Sequence, residues 1–324
     1  MHTCMEGSNM AKNVLLLFAK LPEPGMAKTR LSVLKDGVFS PEDAADLFGC
    51  MLLDVIEICL SAFERLGEHD RAWSDSQRGM QGSYELVIST APAKNATAMR
   101  EFIEAEFGPV LSCAAEGETL DEAEDATAGK LLYDSKTAAL PIRVISDSGA
   151  SFDEHYNDAF AQVWEQGAAS ILSMGADMPA LTSDDIVRGF RALHDLAAQG
   201  RKGIVFAPDQ EMGASMVGWN RETDFDHSGV YYNPTGLTVL PAYIDKAREA
   251  GLDAVWLPPV PDVDTMADLA HNLTLMDALS YCSERNEDFG SWAHRTYAML
   301  EDLGAAMVRI PPNELRDPRD VIDA

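Results

Sequence analysis

Several short stretches of this 324-residue chain place chemically active side chains where an α/β sheet would offer them to a ligand. The first is Ala19-Lys-Leu-Pro-Glu-Pro-Gly-Met-Ala-Lys-Thr-Arg-Leu31, directly after the apolar run Val14–Phe18. A Gly/Pro-rich loop at the carboxyl end of a parallel strand is where open α/β sheets bind ligands. Gly25 lets backbone come close to a ligand, and Lys28 and Arg30 can neutralise phosphates. Lys20, Gly25, Lys28 and Arg30 are therefore the expected binding residues of this loop. It is not a Walker A loop, because Pro22 and Ala27 stand where that pattern needs glycines, and G-x-G-x-x-G is absent from the chain.

The second stretch is Met174-Gly-Ala-Asp-Met-Pro-Ala-Leu181. An apolar run, Ser170–Met174, enters a tight turn that leaves Asp177 at the edge of the sheet. A lone carboxylate there suits Mg²⁺ or Mn²⁺, which keep several waters and share one or two protein carboxylates with substrate phosphates. An aspartate that only organises the turn is the competing reading. In Pro261-Asp-Val-Asp-Thr265, side chains repeat every second residue, so Asp262 and Asp264 point the same way, and either can be the second ligand. Asp264 and Thr265 also read as helix caps. In Ala207-Pro-Asp-Gln-Glu-Met-Gly-Ala-Ser215, Gly213 permits close approach of a substrate, and Asp209 or Glu211 can contact hydroxyls or act as base. Asp226-His-Ser-Gly-Val-Tyr-Tyr-Asn233 can touch an acceptor, although His227 reads as an exposed loop histidine.

The elements that must position these residues alternate along the chain. Strands are expected at Val14–Phe18, Tyr84–Thr90, Ile142–Ser146, Ser170–Met174, Gly203–Ala207, Ala214–Trp219 and Asp253–Leu257. Helices are expected at Pro41–Arg65, Thr97–Phe107, Phe152–Gln166, Ser183–Ala198 and Pro241–Ala250, with Leu273–Cys282 and Phe289–Leu303 in the tail. Near-continuous apolar strands alternating with helices predict a mostly parallel central sheet covered on both faces. Four helix starts carry a hydroxyl three residues before an acid: Ser40 with Asp43, Ser151 with Glu154, Thr182 with Asp185, and Thr265 with Asp268. The polar stretches Gly67–Gly82 and Glu116–Lys136 read as surface insertions.

The formal charge of −28 argues against nucleic acid, whose affinity rests on Lys and Arg neutralising phosphates. It also requires any phosphate site to be locally basic or to use a metal. No apolar run approaches the length of a membrane span. The first residues lack a basic start and an apolar middle, so no signal peptide is expected. The five cysteines form no C-x-x-C pair and are odd in number, which fits a reducing, cytoplasmic setting; Cys50 and Cys59 lie in an apolar helical pattern and read as core.

Taken in order, the segments Phe18–Leu31, Met174–Thr182 and Asp262-Val-Asp-Thr265 resemble a bacterial family of uncharacterised glycosyltransferases of the GT-A, nucleotide-diphospho-sugar transferase type, some of them associated with arsenosugar biosynthesis. The resemblance spans roughly residues 13 to 270. Phospholactate guanylyltransferase, on the same fold, is also similar, through Lys28-Thr-Arg-Leu31, Met51-Leu-Leu-Asp-Val55 and Pro208-Asp209. The resemblance implies a Rossmann-like GT-A domain over residues 12–270, with 1–11 as a disordered leader and 271–324 as a helical extension. It implies that Lys28 and Arg30 hold phosphates, that Asp177 binds the metal, and that Asp262 or Asp264 completes the site. Asp177 and Lys28 are the expected catalytic residues. Members typically carry an acidic-Gly-Gly-Tyr run after the Ala-Pro pair, where this chain has Gln210-Glu-Met-Gly-Ala214. The expected activity is transfer from a nucleotide-diphospho-sugar to a small-molecule acceptor, using Mg²⁺ or Mn²⁺. A nucleotidylyltransferase releasing pyrophosphate, and a non-catalytic nucleotide binder, are the alternatives.

Overall fold

In the computed structural model, the residues described are 11–35, 37–74, 82–111, 140–233, 235–286 and 289–304, without the side chains of 68–74. The strands are β1 (Ala11–Phe18), β2 (Gly82–Ser89), β3 (Ile142–Ile145), β4 (Ala168–Gly175), β5 (Gly203–Pro208), β6 (Ala214–Asn220) and β7 (Asp253–Trp256). The helices are α1 (Pro41–Ser74), α2 (Asn95–Phe107), α3 (Phe152–Glu165), α4 (Ser183–Ala198), α5 (Val239–Glu249), α6 (Met266–Arg285) and α7 (His294–Asp302). The strands form one sheet in the order β3-β2-β1-β4-β6-β5-β7. Only β6 runs antiparallel, between β4 and β5. The carboxyl ends of all the other strands therefore share one edge, and the loops leaving that edge carry the residues singled out above.

Strand β1 shows why the sheet is covered twice. Val14, Leu15, Leu16 and Leu17 are all fully buried. Alternation sends Leu15 and Leu17 into the layer that includes α1, α2 and α4, and Val14 and Leu16 into the layer with α3 and α5. Each such side chain contributes about 1.5–3 kcal/mol through burial. A third cluster joins Leu31, Leu47 and Met51 to Leu269, Met276 and Leu300, and so seats α6 and α7 on α1.

Three of the expected helix starts are closed by reciprocal bonds. Asp43 N donates to Ser40 Oγ, which in turn donates to the Asp43 carboxylate. Thr182 N and Oγ1 both donate to Asp185, and Thr265 N and Oγ1 to Asp268. At the fourth, Glu154 N donates to Ser151 Oγ, while the Glu154 carboxylate accepts from Ala150 N.

Four expectations need correction. The segment from Gly67 is not all loop: α1 continues to Ser74, because one glycine costs a helix only about 1 kcal/mol and the following Glu68, Arg71 and Ala72 favour it. Helix α6 begins at Met266 under the Thr265 cap and runs unbroken past residue 271, and the last helix starts at His294. Cys59 is buried but Cys50 is only half-buried. His227 is fully buried, where an exposed loop residue was expected. The Glu116–Lys136 insertion and all but the last residue of the 1–11 leader lie outside the described residues.

The contact between α1 and α7 carries a pH dependence. Glu57 accepts from Arg295 at 2.6 Å and faces His294 at 3.4 Å. Burial opposes its ionisation, but the hydrogen bonds and charges of His294 and Arg295 prevail and hold its carboxyl down to about 2, from an ordinary 4.5. A depressed carboxyl stabilises the fold above 4.5, and that share is lost as pH falls towards about 2. The hydrogen bond that His294 donates to Glu57 raises its pKa above 6.5, so its share is complete below 6.5 and fades as pH rises through the folded value. The excess in urea midpoint of the wild type over the Glu57→Gln, His294→Asn double variant is expected to be largest between about 4.5 and 6.5 and to shrink on both sides. An excess that does not change with pH would mean that this pair contributes no pH-dependent stability.

Candidate functional site at the carboxyl edge of the sheet

The loop after β1 turns inward at Lys28. Gly25 takes φ +76°, which a side chain would strain. Lys28 takes φ 44° although it is not glycine. A left-handed lysine costs about 1–2 kcal/mol and persists only where surrounding contacts hold it. Here they are plain: the side chain is only 8% exposed, and Nζ donates to Asp177 Oδ2 at 2.6 Å, to Asp264 Oδ1 at 3.5 Å and to the carbonyl of Val263. The Phe48 ring lies 6.0 Å from the ammonium. Burial works against a charged lysine, yet Asp177 first, then Asp264 and Asp262, outweigh it and raise its pKa. Lys28 is thus a cation held between two aspartates that are 149 and 236 residues away in sequence.

Asp177 leaves the end of β4, and Val263 N donates to its carbonyl at 2.9 Å, which ties the loop after β7 to the loop after β4. Arg30 donates from Nη1 to Asp264 Oδ2 at 3.0 Å and is 61% exposed. Asp262 and Asp264 turn to different partners: Asp262 Oδ1 accepts from Gln210 Nε2 at 2.9 Å, and Gln210 also reaches Asp268 at 3.1 Å. Burial, then Asp177, then Asp209 and Asp264, push the Asp262 carboxyl up to about 7, against the pull of the Gln210 hydrogen bond. The capping role near Thr265 falls to Thr265 with Asp268, while the Asp264 side chain faces Arg30 and Lys28.

Asp209 and Gly213 are occupied with each other. Asp209 Oδ1 accepts from Glu211 N at 2.6 Å and Gly213 N at 2.7 Å, and a Cβ on Gly213 would lie 1.9 Å from Asp209 Oδ2. Together they shape the β5–β6 hairpin, which presents Gln210 to Asp262 and leaves Met212 exposed at φ 66°. Lys20 is exposed at the start of the β1 loop, and no contact joins it to the cluster. The structure therefore gathers Lys28, Arg30, Asp177, Asp262 and Asp264, and sets Asp209 and Gly213 beside them as turn builders. Buried His227 bonds through Nδ1 to Tyr243 at 2.8 Å, and burial lowers its pKa to about 3, so it is neutral. Sequence reasoning missed the Val263 carbonyl and Gln210; the departure at 210–214 was the only pointer to the latter.

The donor set can be tested against a hard divalent cation. Burial first, and then the neighbouring Asp177, Asp209 and Asp264, raise Asp262, so carboxylates gather here beside Lys28 and Arg30. Carboxylate oxygens of this kind suit Mg²⁺ or Mn²⁺. Among the described residues, no three His, Cys, Asp or Glu side chains gather closely enough to hold a metal alone. A cation here would lean on one or two of Asp177, Asp264 and Asp262 and on the phosphates of a bound substrate.

A seven-stranded, mostly parallel sheet flanked by helices is a fold of the nucleotide-diphospho-sugar transferase type, and in this chain basic and acidic loops meet at its carboxyl edge. Residues 96–233 match a family described as an uncharacterized protein conserved in bacteria, DUF2064. No curated protein matches the chain. Among solved structures, the chain is similar to a "putative nucleotide-diphospho-sugar transferase" from Desulfovibrio desulfuricans G20, at 20% identity and a TM-score of 0.57, over 91% of this chain and 96% of that one. At that identity the likeness is one of fold. A cytidylyltransferase from Leptospira borgpetersenii shares 14% identity over 95% of this chain and 99% of its own, with a TM-score of 0.44. That correspondence is too loose to assign residues or activity. No helix among the described residues is long and apolar enough to cross a membrane.

Proposed function

We propose that this protein is a metal-dependent transferase of nucleotide-activated substrates, a glycosyltransferase that uses a nucleotide-diphospho-sugar donor in the cytoplasm. The observation that carries this reading is the ammonium of Lys28 seated between Asp177 and Asp264 at the ligand edge of the sheet. It supports a site that balances positive charge against two carboxylates, in a chain of net charge −28 that would otherwise repel phosphate. The transferase unit runs from residue 12 to about 270, with the remainder of α6 and α7 as an extension clamped to α1.

Asp177 and Asp264, with Asp262 beside them, are the residues that would hold Mg²⁺ or Mn²⁺. Bound there, the ion supplies charge neutralisation for a diphosphate leaving group. Arg30 is mostly exposed, so its guanidinium can meet a phosphate while keeping Asp264. Lys28 has three N–H groups and three acceptors, so it reaches a phosphate only by releasing one of them. The turn through Gly25 lets backbone follow the diphosphate. In sugar transfer the bond from the anomeric carbon to the diphosphate oxygen breaks, its electrons stay with the leaving group, and the N–H groups of Lys28 and Arg30 stabilise the growing charge. The acceptor oxygen forms the new bond to the anomeric carbon and gives up its proton to solvent.

The test is calorimetric binding of nucleoside diphosphates and their sugar conjugates, with and without Mn²⁺. Binding that tightens at least tenfold with the metal, about 1.4 kcal/mol, is expected. Metal-indifferent binding, or none, rules the reading out. Pyrophosphate release from a nucleoside triphosphate and a phosphorylated acceptor would move the assignment to nucleotidyl transfer.

A further inference from the structure

A second cluster lies on the same edge, one and two strands from β1. Asp147, just beyond β3, is buried, with a side chain 6% exposed. Its Oδ2 accepts from Ser89 Oγ, at the end of β2, at 2.6 Å. Its Oδ1 lies 2.5 Å from His155 Nδ1, in the first turns of α3. An imidazole that gives Nδ1–H to a carboxylate keeps Nε2 as an acceptor. The His155 side chain is 31% exposed, and its Nε2 has no partner among the described residues. Next to Ser89, the buried hydroxyl of Thr90 also has no partner among them. Thr90 N donates to the carbonyl of Ile145, so the orphan hydroxyl belongs to the β2–β3 corner that holds Asp147.

This corner lies one and two strands away from the loop that carries Lys28. Tyr156 follows His155, stacks on Phe18 at the end of β1 with ring centroids 3.7 Å apart, and lies within electrostatic reach of both Asp147 and Asp177. Strands β2 and β3 are one and two spacings from β1, roughly 5 and 10 Å. That is the scale on which a nucleoside extends from its diphosphate. Burying Asp147 among three elements is costly unless its hydrogen bonds are used, and what they achieve is one fixed imidazole with an open acceptor nitrogen.

We propose that the Asp147–His155 pair is the nucleoside-reading end of the site, with His155 Nε2 accepting a hydrogen bond from a ribose hydroxyl or amino group of the bound nucleotide and Asp147 acting as its positioning residue. The inference rests on the nucleotide reading above, and no covalent step is assigned to His155.

The test compares two ligands in the full chain with Mn²⁺: inorganic pyrophosphate, and the best binder among CDP, UDP, GDP and ADP. His155→Ala is expected to weaken the nucleoside diphosphate about tenfold, as for the loss of one well-made hydrogen bond, and to leave pyrophosphate almost unchanged. His155→Gln keeps an acceptor and recovers part of the loss, while Asp147→Asn, which no longer fixes the ring, behaves like the alanine variant. The 2′-deoxy and 3′-deoxy analogues of the best ligand then separate the two donors: a ribose contact makes one of them bind as weakly to wild type as the parent does to His155→Ala, and an amino contact leaves both tight. A nucleoside diphosphate indifferent to His155→Ala overturns the proposal, as does an equal loss for pyrophosphate, which would mean a structural effect. Wild-type protein that binds neither ligand removes the nucleotide reading itself, and this inference with it.

Discussion

Replacing Asp177 by alanine is expected to weaken Mn²⁺-dependent binding of a nucleoside diphosphate about 100-fold, the scale for truncating one partner of a close charge pair. The variant also removes the ion pair between the Lys28 ammonium and Asp177, at 2.6 Å. Asp177 is 28% exposed, so solvent screens the pair, and the loss of fold stability is smaller, about 1 kcal/mol. Asp177→Asn separates the two effects. An amide oxygen still accepts from Lys28, so stability returns, but the negative charge that would hold a cation does not. Metal-dependent affinity that survives in both variants would remove Asp177 from the metal site and leave Asp264 and Asp262 as its only carboxylates.

The second large effect concerns the seat of α7. The residue before this helix, at its N-cap, is Ala293, which has no side chain able to cap it. Asp54 on α1, fully buried, does so from across the interface: it accepts from Thr296 N at 2.8 Å, Thr296 Oγ1 at 2.7 Å, and Arg295 N and Nη1 at 3.2 Å each. Burial raises its pKa, and the Thr296 bonds offset only part of that rise. Asp54→Ala leaves two backbone N–H groups and a buried hydroxyl without an acceptor, while Arg295 keeps Glu57 and Glu106. The expected cost is about 3 kcal/mol. Urea unfolding measures it, with Asp54→Asn falling in between. A loss below about 1 kcal/mol would mean that α7 is held by its apolar contacts alone.

Sequence and structure agree where the signal is local. All seven strands lie within two or three residues of their expected positions, because near-continuous runs such as Val14-Leu-Leu-Leu17 satisfy only a strand buried on both faces. The hydroxyl–acid caps were equally legible, since both partners lie within one turn. Signals weakened where the outcome depended on distant packing. Nothing around His227 in sequence announces Tyr156, Phe160, Trp219 and Tyr243, whose rings surround it. Asp54 was noticed only as part of Met51-Leu-Leu-Asp-Val55, and its role as a cap depends on a helix more than two hundred residues away. Asp147 and His155 sit eight residues apart in no recurring pattern, and the end of β2 supplies the third member of their cluster.

The sequence by itself determined the strands, the helices, the loops that leave the carboxyl edge and the residue types those loops carry, because each follows from periodicity, caps and glycine or proline within a few residues. Tertiary structure alone decided what those residues do to one another. It turned Lys28 into the shared counter-ion of Asp177 and Asp264, split Asp262 from Asp264, and set Asp209 to shaping a hairpin. Charge interactions fall off within a few ångströms in a screened medium, so their partners are fixed by which strand ends the sheet order brings side by side.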